Sequence, residues 1–522
     1  MHILMVAAEN GALAGAKVGG IGDVIRDAPL ALARAGQRVT VLTPGYQSLS
    51  HLPGAQPLLT MTVRFAAALE TLTLYQIIQP DAVAGVRHLV LEHPLFAACG
   101  IGAIYCHDAD EPFATDAAKF ALFSAAVIHA VATHAIADVD VVHLHDWHTA
   151  LVLLLRNSDT TYRSLQQLPM VYTIHNLSLQ GVRPFDDNWS SPTQWFPHLH
   201  YDRTPVADPR YLHCINLMRT GINLADQVHV VSPRYAAEIL LPSVPESGLI
   251  RGEGLEMDLL ALQNQGRLHG ILNGCEYHED SKAARKPTRK QMLDQVQQTL
   301  QTWVGTRVKI PAAWFHAGQR VQQWVAAAMP DKFVLASIGR LTPQKVRLLQ
   351  IKLASGRYVL DHILELLDDG CLLMLGNGDP VCELFMQEAM LRHANFLFLC
   401  GYDEKLGNML YNYCDAFLMP SSYEPCGISQ LLALRAGKPV LVHAVGGLAD
   451  TIQNGINGFS FEGKDELEQA NNLVATLAEM LQIFQGRLPH WRKLCRNAAA
   501  TRFSWDQTVA GYLQHLYGVK SR

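Results

Sequence analysis

The chain has 522 residues, 49% of them apolar and 17% charged, with a net charge of −5 and a pI near 6.5. That length exceeds a single hydrophobic core and predicts two large domains or three smaller ones. The mild acidity excludes a general attraction to nucleic acid or to anionic lipid, so neither is an expected partner.

The ten cysteines contain no C-x-x-C pair, which predicts reduced thiols in a cytoplasmic protein and neither a disulfide framework nor a zinc site. At the N-terminus Met1-His-Ile-Leu-Met-Val-Ala-Ala8 is apolar but has no basic leader, and Glu9 follows at once, so a first strand is expected and not a signal peptide. Short aliphatic runs recur at Ile3–Ala7, Arg38–Leu42, His88–Leu91, Val141–His145, Met170–Ile174, Gln227–Val231 and His269–Leu272. Helical stretches such as Asp23–Ala35 and Asp116–Ala137 lie between most of them, and this alternation implies a parallel sheet with right-handed crossovers. The long apolar stretch Phe120–Ala137 carries His129 and His134, so it reads as a buried helix and no membrane span is expected.

The first run leads into Lys17-Val-Gly-Gly-Ile-Gly-Asp-Val24. Adjacent glycines ahead of a helix let backbone N–H groups approach an anion, although a tight strand–helix turn would use the same residues. Two nucleotide motifs fail here. G-x-G-x-x-G from Gly20 meets Ile25 where glycine is required, and a phosphate loop from Gly11 meets Ala16-Lys17-Val18. Two strand ends then carry histidine, His143-Leu-His-Asp-Trp-His148 and Thr173-Ile-His-Asn-Leu-Ser-Leu-Gln-Gly181. In the first, His143 and His145 share a strand face while Asp146 falls in the turn, so a metal site is not favoured and none is expected.

The pattern breaks over the polar stretch 279–330 and restarts at Phe333–Ile338, Cys371–Leu375, Phe396–Cys400, Ala416–Pro420 and Pro439–His443. Gly339-Arg-Leu-Thr-Pro-Gln-Lys345 puts two cations, Arg340 and Lys345, on one strand-to-helix loop. They suit a diphosphate, or are a solvated surface pair. Gly401-Tyr-Asp-Glu404 places Tyr402 at a strand end, where it could stack on a base or simply pack. Pro420-Ser-Ser-Tyr-Glu-Pro-Cys-Gly-Ile-Ser-Gln430 holds Glu424 at the C-terminal edge of a strand, as a ligand-facing carboxylate or as an ordinary acid ahead of a helix. Val445-Gly-Gly-Leu-Ala-Asp-Thr451 repeats the glycine pair before a helix. Two doubly wound domains in tandem, with a cleft between them, account for this order.

Together these motifs, with VVSPRYAAEI at 230–239 and GILNG at 270–274, resemble the bacterial glycogen synthases and plant starch synthases. The resemblance implies the GT-B architecture of two Rossmann-like domains: 1–275 on the acceptor side, 276–505 binding the donor, and a C-terminal helix at 506–522 that could pack back on the first domain. It also implies an enzyme that transfers glucose from a nucleotide-glucose, ADP-glucose by resemblance, to an α-1,4-glucan with retention of configuration and without cofactor or metal. Use of UDP-glucose, or a relative that binds glucan or nucleotide-sugar without catalysis, are the alternatives. Carried over position by position, Lys17, Gly19, Gly20 and Asp23 resemble the donor-facing glycine loop. His175 is similar to the histidine beside the transferred glucose, Asp146 to the acid near its hydroxyls, and Asn273 to the asparagine of the I-L-N-G motif. Arg340 and Lys345 resemble the diphosphate clamp, and Tyr402 the base-stacking tyrosine. Glu424, followed by Cys426 and Gly427, resembles the carboxylate segment against the sugar, and Gly446 and Gly447 the second glycine loop. The chain departs from the family's pattern at Val346, Glu276 and Asn408.

Overall fold

A computed structural model describes residues 1–277, 286–305, 309–327 and 329–518. The chain forms two compact units. The first takes Met1–Ser243, Arg251–Glu276 and the chain from Ser504 onward; the second takes Val244–Ile250 and Tyr277–Phe503. Thus Val244–Ile250, placed by the sequence in the first domain, groups with the second.

In the first unit the strands are β1 (His2–Val6), β2 (Arg38–Pro44), β3 (Ala55–Phe65), β4 (Ala68–Ile77), β5 (Val86–Glu92), β6 (Val141–His145), β7 (Met170–Ile174), β8 (Val182–Pro184), β9 (Cys214–Asn216), β10 (Gln227–Val230) and β11 (Leu268–Gly270). Nine of them make one sheet in the order β11-β10-β7-β6-β1-β2-β5-β4-β3, while β8 and β9 pair with each other. The central strands are parallel, with β1 between β2 and β6. Their residues are buried on both faces, which is why they read as unbroken apolar runs. The order reverses between β1 and β6, and the crevice at such a reversal is where open α/β sheets bind ligands.

The β3–β4 hairpin is antiparallel and one-sided: Met61, Val63 and Phe65 face inward, while alternate residues are exposed. The helix Ala114–Ala132 is long and apolar enough to cross a membrane, yet nearly all of it is packed inside this unit. From Ser504 the chain forms the helix Trp505–Gly511 and the π-helical turn Tyr512–Leu516. Trp505, Val509, Tyr512, Leu516 and Tyr517 join Ile3, Met5, Val24, Ile25 and Val39 in one apolar core.

The second unit holds β12 (Val334–Ile338), β13 (Cys371–Leu375), β14 (Phe396–Leu399), β15 (Ala416–Met419), β16 (Val440–His443) and β17 (Gly458–Phe461). They form an all-parallel sheet in the order β14-β13-β12-β15-β16-β17. Renumbered within the unit this is 3-2-1-4-5-6, the doubly wound order whose reversal falls between β12 and β15. The polar stretch that interrupts the strand pattern supplies two helices to this unit, Arg289–Gly305 and Ala312–Ala326.

The cysteine expectation is corrected. Cys99 and Cys106 form a disulfide, and the other eight cysteines are not disulfide-bonded. The loop between the two folds back until their Cα atoms are 5.7 Å apart, within bonding range. It is pinned to the neighbouring helix, where Lys119 Nζ donates to the Ile104 carbonyl at 2.6 Å and Asp116 accepts from the Cys106 amide at 3.1 Å. Spacing alone gave no sign of this closure.

Candidate active site

In the first unit the residues after β1, β6 and β7 gather at the reversal of strand order. Lys17 is ion-paired with Asp23 at 2.6 Å, and Arg26 approaches the same carboxylate at 3.2 Å. The helix Gly20–Arg34 starts one residue after Gly19. A Cβ on Gly20 would meet nothing within 4 Å, so nothing in the fold requires glycine there.

Glu9, which the sequence marks only as the end of the first apolar run, is central to this loop. Its carboxylate accepts the Val18 amide at 2.8 Å, the Gly19 amide at 2.6 Å and the Tyr105 hydroxyl at 2.8 Å. Two of the amides expected to meet an external anion are therefore already occupied by a buried internal one. A carboxylate standing between an apolar strand and a glycine pair was the signal that could have revealed it.

Asp146 follows β6 with φ of 55°, a left-handed conformation that costs a non-glycine residue of order 1–3 kcal/mol. The strain serves to aim its carboxylate across to β7, where Oδ1 accepts the His175 backbone amide at 2.7 Å. Burial pushes the Asp146 carboxyl up to about 7, against the opposing backbone hydrogen bonds from His175 and Asn176. Burial likewise pushes the His175 imidazole down to about 3, so it is neutral at physiological pH. Asn273 is buried, and its side-chain oxygen has no partner among the described residues. His143 pairs with Thr173 and Tyr517, while His145 and Asp146 both meet His175, the first through its ring and the second through its backbone amide. Among the described residues no group of three or more His, Cys, Asp and Glu side chains is arranged to hold a metal ion.

In the second unit the chain leaving β12 and the chain leaving β15 meet. Arg340 is exposed and has no hydrogen-bond or ion-pair partner among the described residues. Lys345, in the short helix Pro343–Val346, extends its Nζ to Glu424 Oε2. Ser421 Oγ donates to the same oxygen at 3.0 Å. Glu424 is buried, so carboxylate and ammonium neutralise one another where desolvation would otherwise penalise both. The Glu424 loop is held from three sides. Gln344 Nε2 donates to the Tyr423 carbonyl at 2.7 Å, and Gln430 Nε2 to those of Cys426 and Gly427 at 2.9 and 3.1 Å. The Gly447 amide donates to the carbonyls of Glu424 and Pro425 at 3.1 and 3.2 Å. Gln344, Ser421 and Gln430 are further residues that strand and motif patterns did not single out. Tyr402 stands 59% exposed on the loop after β14, and Cys426 is buried. The structure thus brings Lys345 and Glu424 together, leaves Arg340 projecting, and uses Gly446 and Gly447 to seat the Glu424 loop.

Residues 2–261 match the family model for the starch synthase catalytic domain, and residues 319–483 match that for glycosyl transferases group 1. Glycogen synthases of Streptococcus pneumoniae, from strains Hungary19A-6 and 70585 among others, are 30% identical over 523 residues, covering 98% of this chain and 98% of theirs. Two solved structures share the fold. The catalytic domain of starch synthase IV from Arabidopsis thaliana has a TM-score of 0.74 at 23% identity, covering 99% of this chain and 98% of that one. Sucrose-phosphate synthase from Thermosynechococcus elongatus has a TM-score of 0.55 at 17% identity, covering 98% and 97%. The two doubly wound units are those of the GT-B architecture. The chain belongs to the glycogen synthase and starch synthase family of hexosyltransferases.

Proposed function

We propose that the chain transfers glucose from ADP-glucose to the non-reducing end of an α-1,4-glucan with retention of configuration. The observation that carries this reading is the Lys345–Glu424 pair at the strand-order reversal of the second unit, with Arg340 exposed on the segment that leads from β12 to the Lys345 helix. A departing nucleoside diphosphate needs cations, and a glucosyl centre losing it needs an anion; this constellation offers both. The starch synthase IV structure is bound to ADP and acarbose, which supports an adenine nucleotide donor and an α-glucan acceptor here.

In this reading Arg340 and Lys345 neutralise the diphosphate as it leaves, and Glu424 stabilises the oxocarbenium-like sugar. Double displacement uses two carboxylates, and only Glu424 is assigned to the sugar's reacting carbon. We therefore favour departure and attack on the same face, with the leaving phosphate taking the acceptor's proton. His175 and Asn273 are assigned to the transferred glucose, with Asp146 holding the His175 backbone and its own carboxyl near the sugar hydroxyls. Tyr402 is assigned to the base, and Lys17 with Gly19 and Gly20 to the donor side of the first unit.

The test is release of nucleoside diphosphate from ADP-glucose and from UDP-glucose, with and without glycogen. Glycogen-dependent ADP release is the expected outcome. UDP release alone would reassign the donor, and no release from either would favour a binding protein that does not catalyse. Cation chemistry is assigned to Arg340 and Lys345, so dialysis against a strong chelator is expected to leave initial rates unchanged. A complete loss restored by one divalent ion would overturn that assignment.

A further inference from the structure

Beneath His175 lies an array of buried polar rings whose proton positions can be worked out from one fixed end. His229 Nε2 lies 3.0 Å from the Ile271 carbonyl, which can only accept, so that nitrogen carries the proton. His229 Nδ1 then accepts from Thr173 Oγ1 at 2.9 Å. Thr173 Oγ1, having donated, accepts from His143 Nε2 at 2.6 Å. His143 Nδ1 is left to accept from the Tyr517 hydroxyl at 2.7 Å. Every group in this chain is satisfied with each imidazole neutral. Burial holds His143 well below its ordinary range and His229 down to about 4.

His145 lies face to face with His143, ring centroids 4.4 Å apart, and touches His175 through Nδ1···Nε2 at 2.9 Å. The His145 Nε2 atom is buried and has no partner among the described residues. A buried unpartnered N–H is costlier and rarer than a buried unpartnered acceptor, so the single proton of neutral His145 belongs on Nδ1. Nδ1–H then donates to His175 Nε2, and the proton of neutral His175 must sit on its own Nδ1.

We infer that His145 is a positioning residue that fixes the tautomer of His175, so that His175 presents an Nδ1–H donor. This Nδ1 has no partner among the described residues. The ligand it suits is a hydroxyl or ether oxygen that accepts a hydrogen bond, which a sugar supplies. That last step rests on the assignment of His175 to the transferred glucose; the tautomer itself does not.

The experiment is a two-bond proton–nitrogen correlation spectrum of the full chain with labelled histidine, the His175 signals being assigned by their loss in His175→Gln. The expected result is a protonated Nδ1 and a bare Nε2 in His175. A protonated Nε2 would overturn the inference whatever the His145 variants do. In His145→Phe the donor is lost, and kcat is expected to fall about 10- to 100-fold with KM little changed. His145→Asn keeps an N–H donor near the Nδ1 position and is expected to recover most of that loss, which a packing role for the ring would not allow. If the spectrum is as expected while His145→Phe keeps wild-type kcat, the assignment of His175 to the sugar fails and the tautomer assignment stands.

Discussion

Glu424→Gln is expected to lower turnover by about 100- to 1,000-fold while donor affinity changes little. The substitution keeps the size and hydrogen-bonding ability of the side chain and removes only its charge. In the proposed reaction that charge acts on the glucosyl centre as the diphosphate leaves, and an interaction made chiefly in the transition state lowers kcat, not affinity. The magnitude is that of deleting one preorganised group aimed at developing charge, ~3–4 kcal/mol. Because Lys345 rests on Glu424 and Ser421 donates to the same oxygen, the loss has a second component: the ammonium is left without its counter-charge. A double-mutant cycle separates the two. Lys345→Ala alone is expected to cost about 100-fold, since it removes one cation from the leaving diphosphate. The double variant is expected to be much better than the product of the single losses, because the residues are in direct contact. Calorimetric donor binding and turnover, measured separately for the three variants, check both points. Normal binding with wild-type turnover in Glu424→Gln would leave the residue as nothing more than an acid ahead of a helix.

Much of this architecture is readable before any coordinates. The parallel strands of both units are buried on both faces, so β1, β6, β7, β12, β13 and β15 announce themselves as short aliphatic runs. The loops that carry Arg340, Lys345 and Glu424 follow from where those runs end, because candidate ligand-facing loops leave the C-terminal edge of a parallel sheet. The β3–β4 hairpin escaped because one face is solvated and its apolar residues alternate with polar ones. Strand β17, Gly458–Phe461, escaped because four residues beginning with glycine carry too little pattern.

Within the sites, the residues missed are those that act on backbone. Glu9 holds two amides and Gln430 two carbonyls, and no spacing rule marks such contacts. The Lys345–Glu424 pair, 79 residues apart, depends on β12 and β15 being neighbours, which strand order alone decides. The Cys99–Cys106 bond depends on a loop closure that composition points away from.

Gly446→Ala is expected to leave a folded protein that turns over about 100-fold more slowly. Gly446 begins the helix Gly446–Thr451 with φ of 44°, in the left-handed region that favours glycine. Its missing side chain is filled by the Glu424 backbone: a Cβ there would lie well inside van der Waals contact of the Glu424 carbonyl oxygen. The clash is with main chain, so no rotamer change relieves it, and the Glu424 loop must move away from the helix. A Cβ on Gly447 would likewise clash with main chain, that of Cys426, so the loop is held close to the helix at both glycines. The Glu424 carboxylate would then be displaced from Lys345 and from the position assigned to it in the proposed chemical step. A misplacement of ~1 Å is enough to cost about 100-fold in rate. Stability is expected to fall by only ~1–3 kcal/mol, because the strain is confined to one loop and the sheet beneath it is unchanged. Circular dichroism and thermal unfolding report the fold, and nucleoside diphosphate release reports the chemistry. A folded Gly446→Ala variant with wild-type turnover would mean that the Glu424 loop need not sit where the glycine pair holds it, and with that the placement of Glu424 in the reaction would fall.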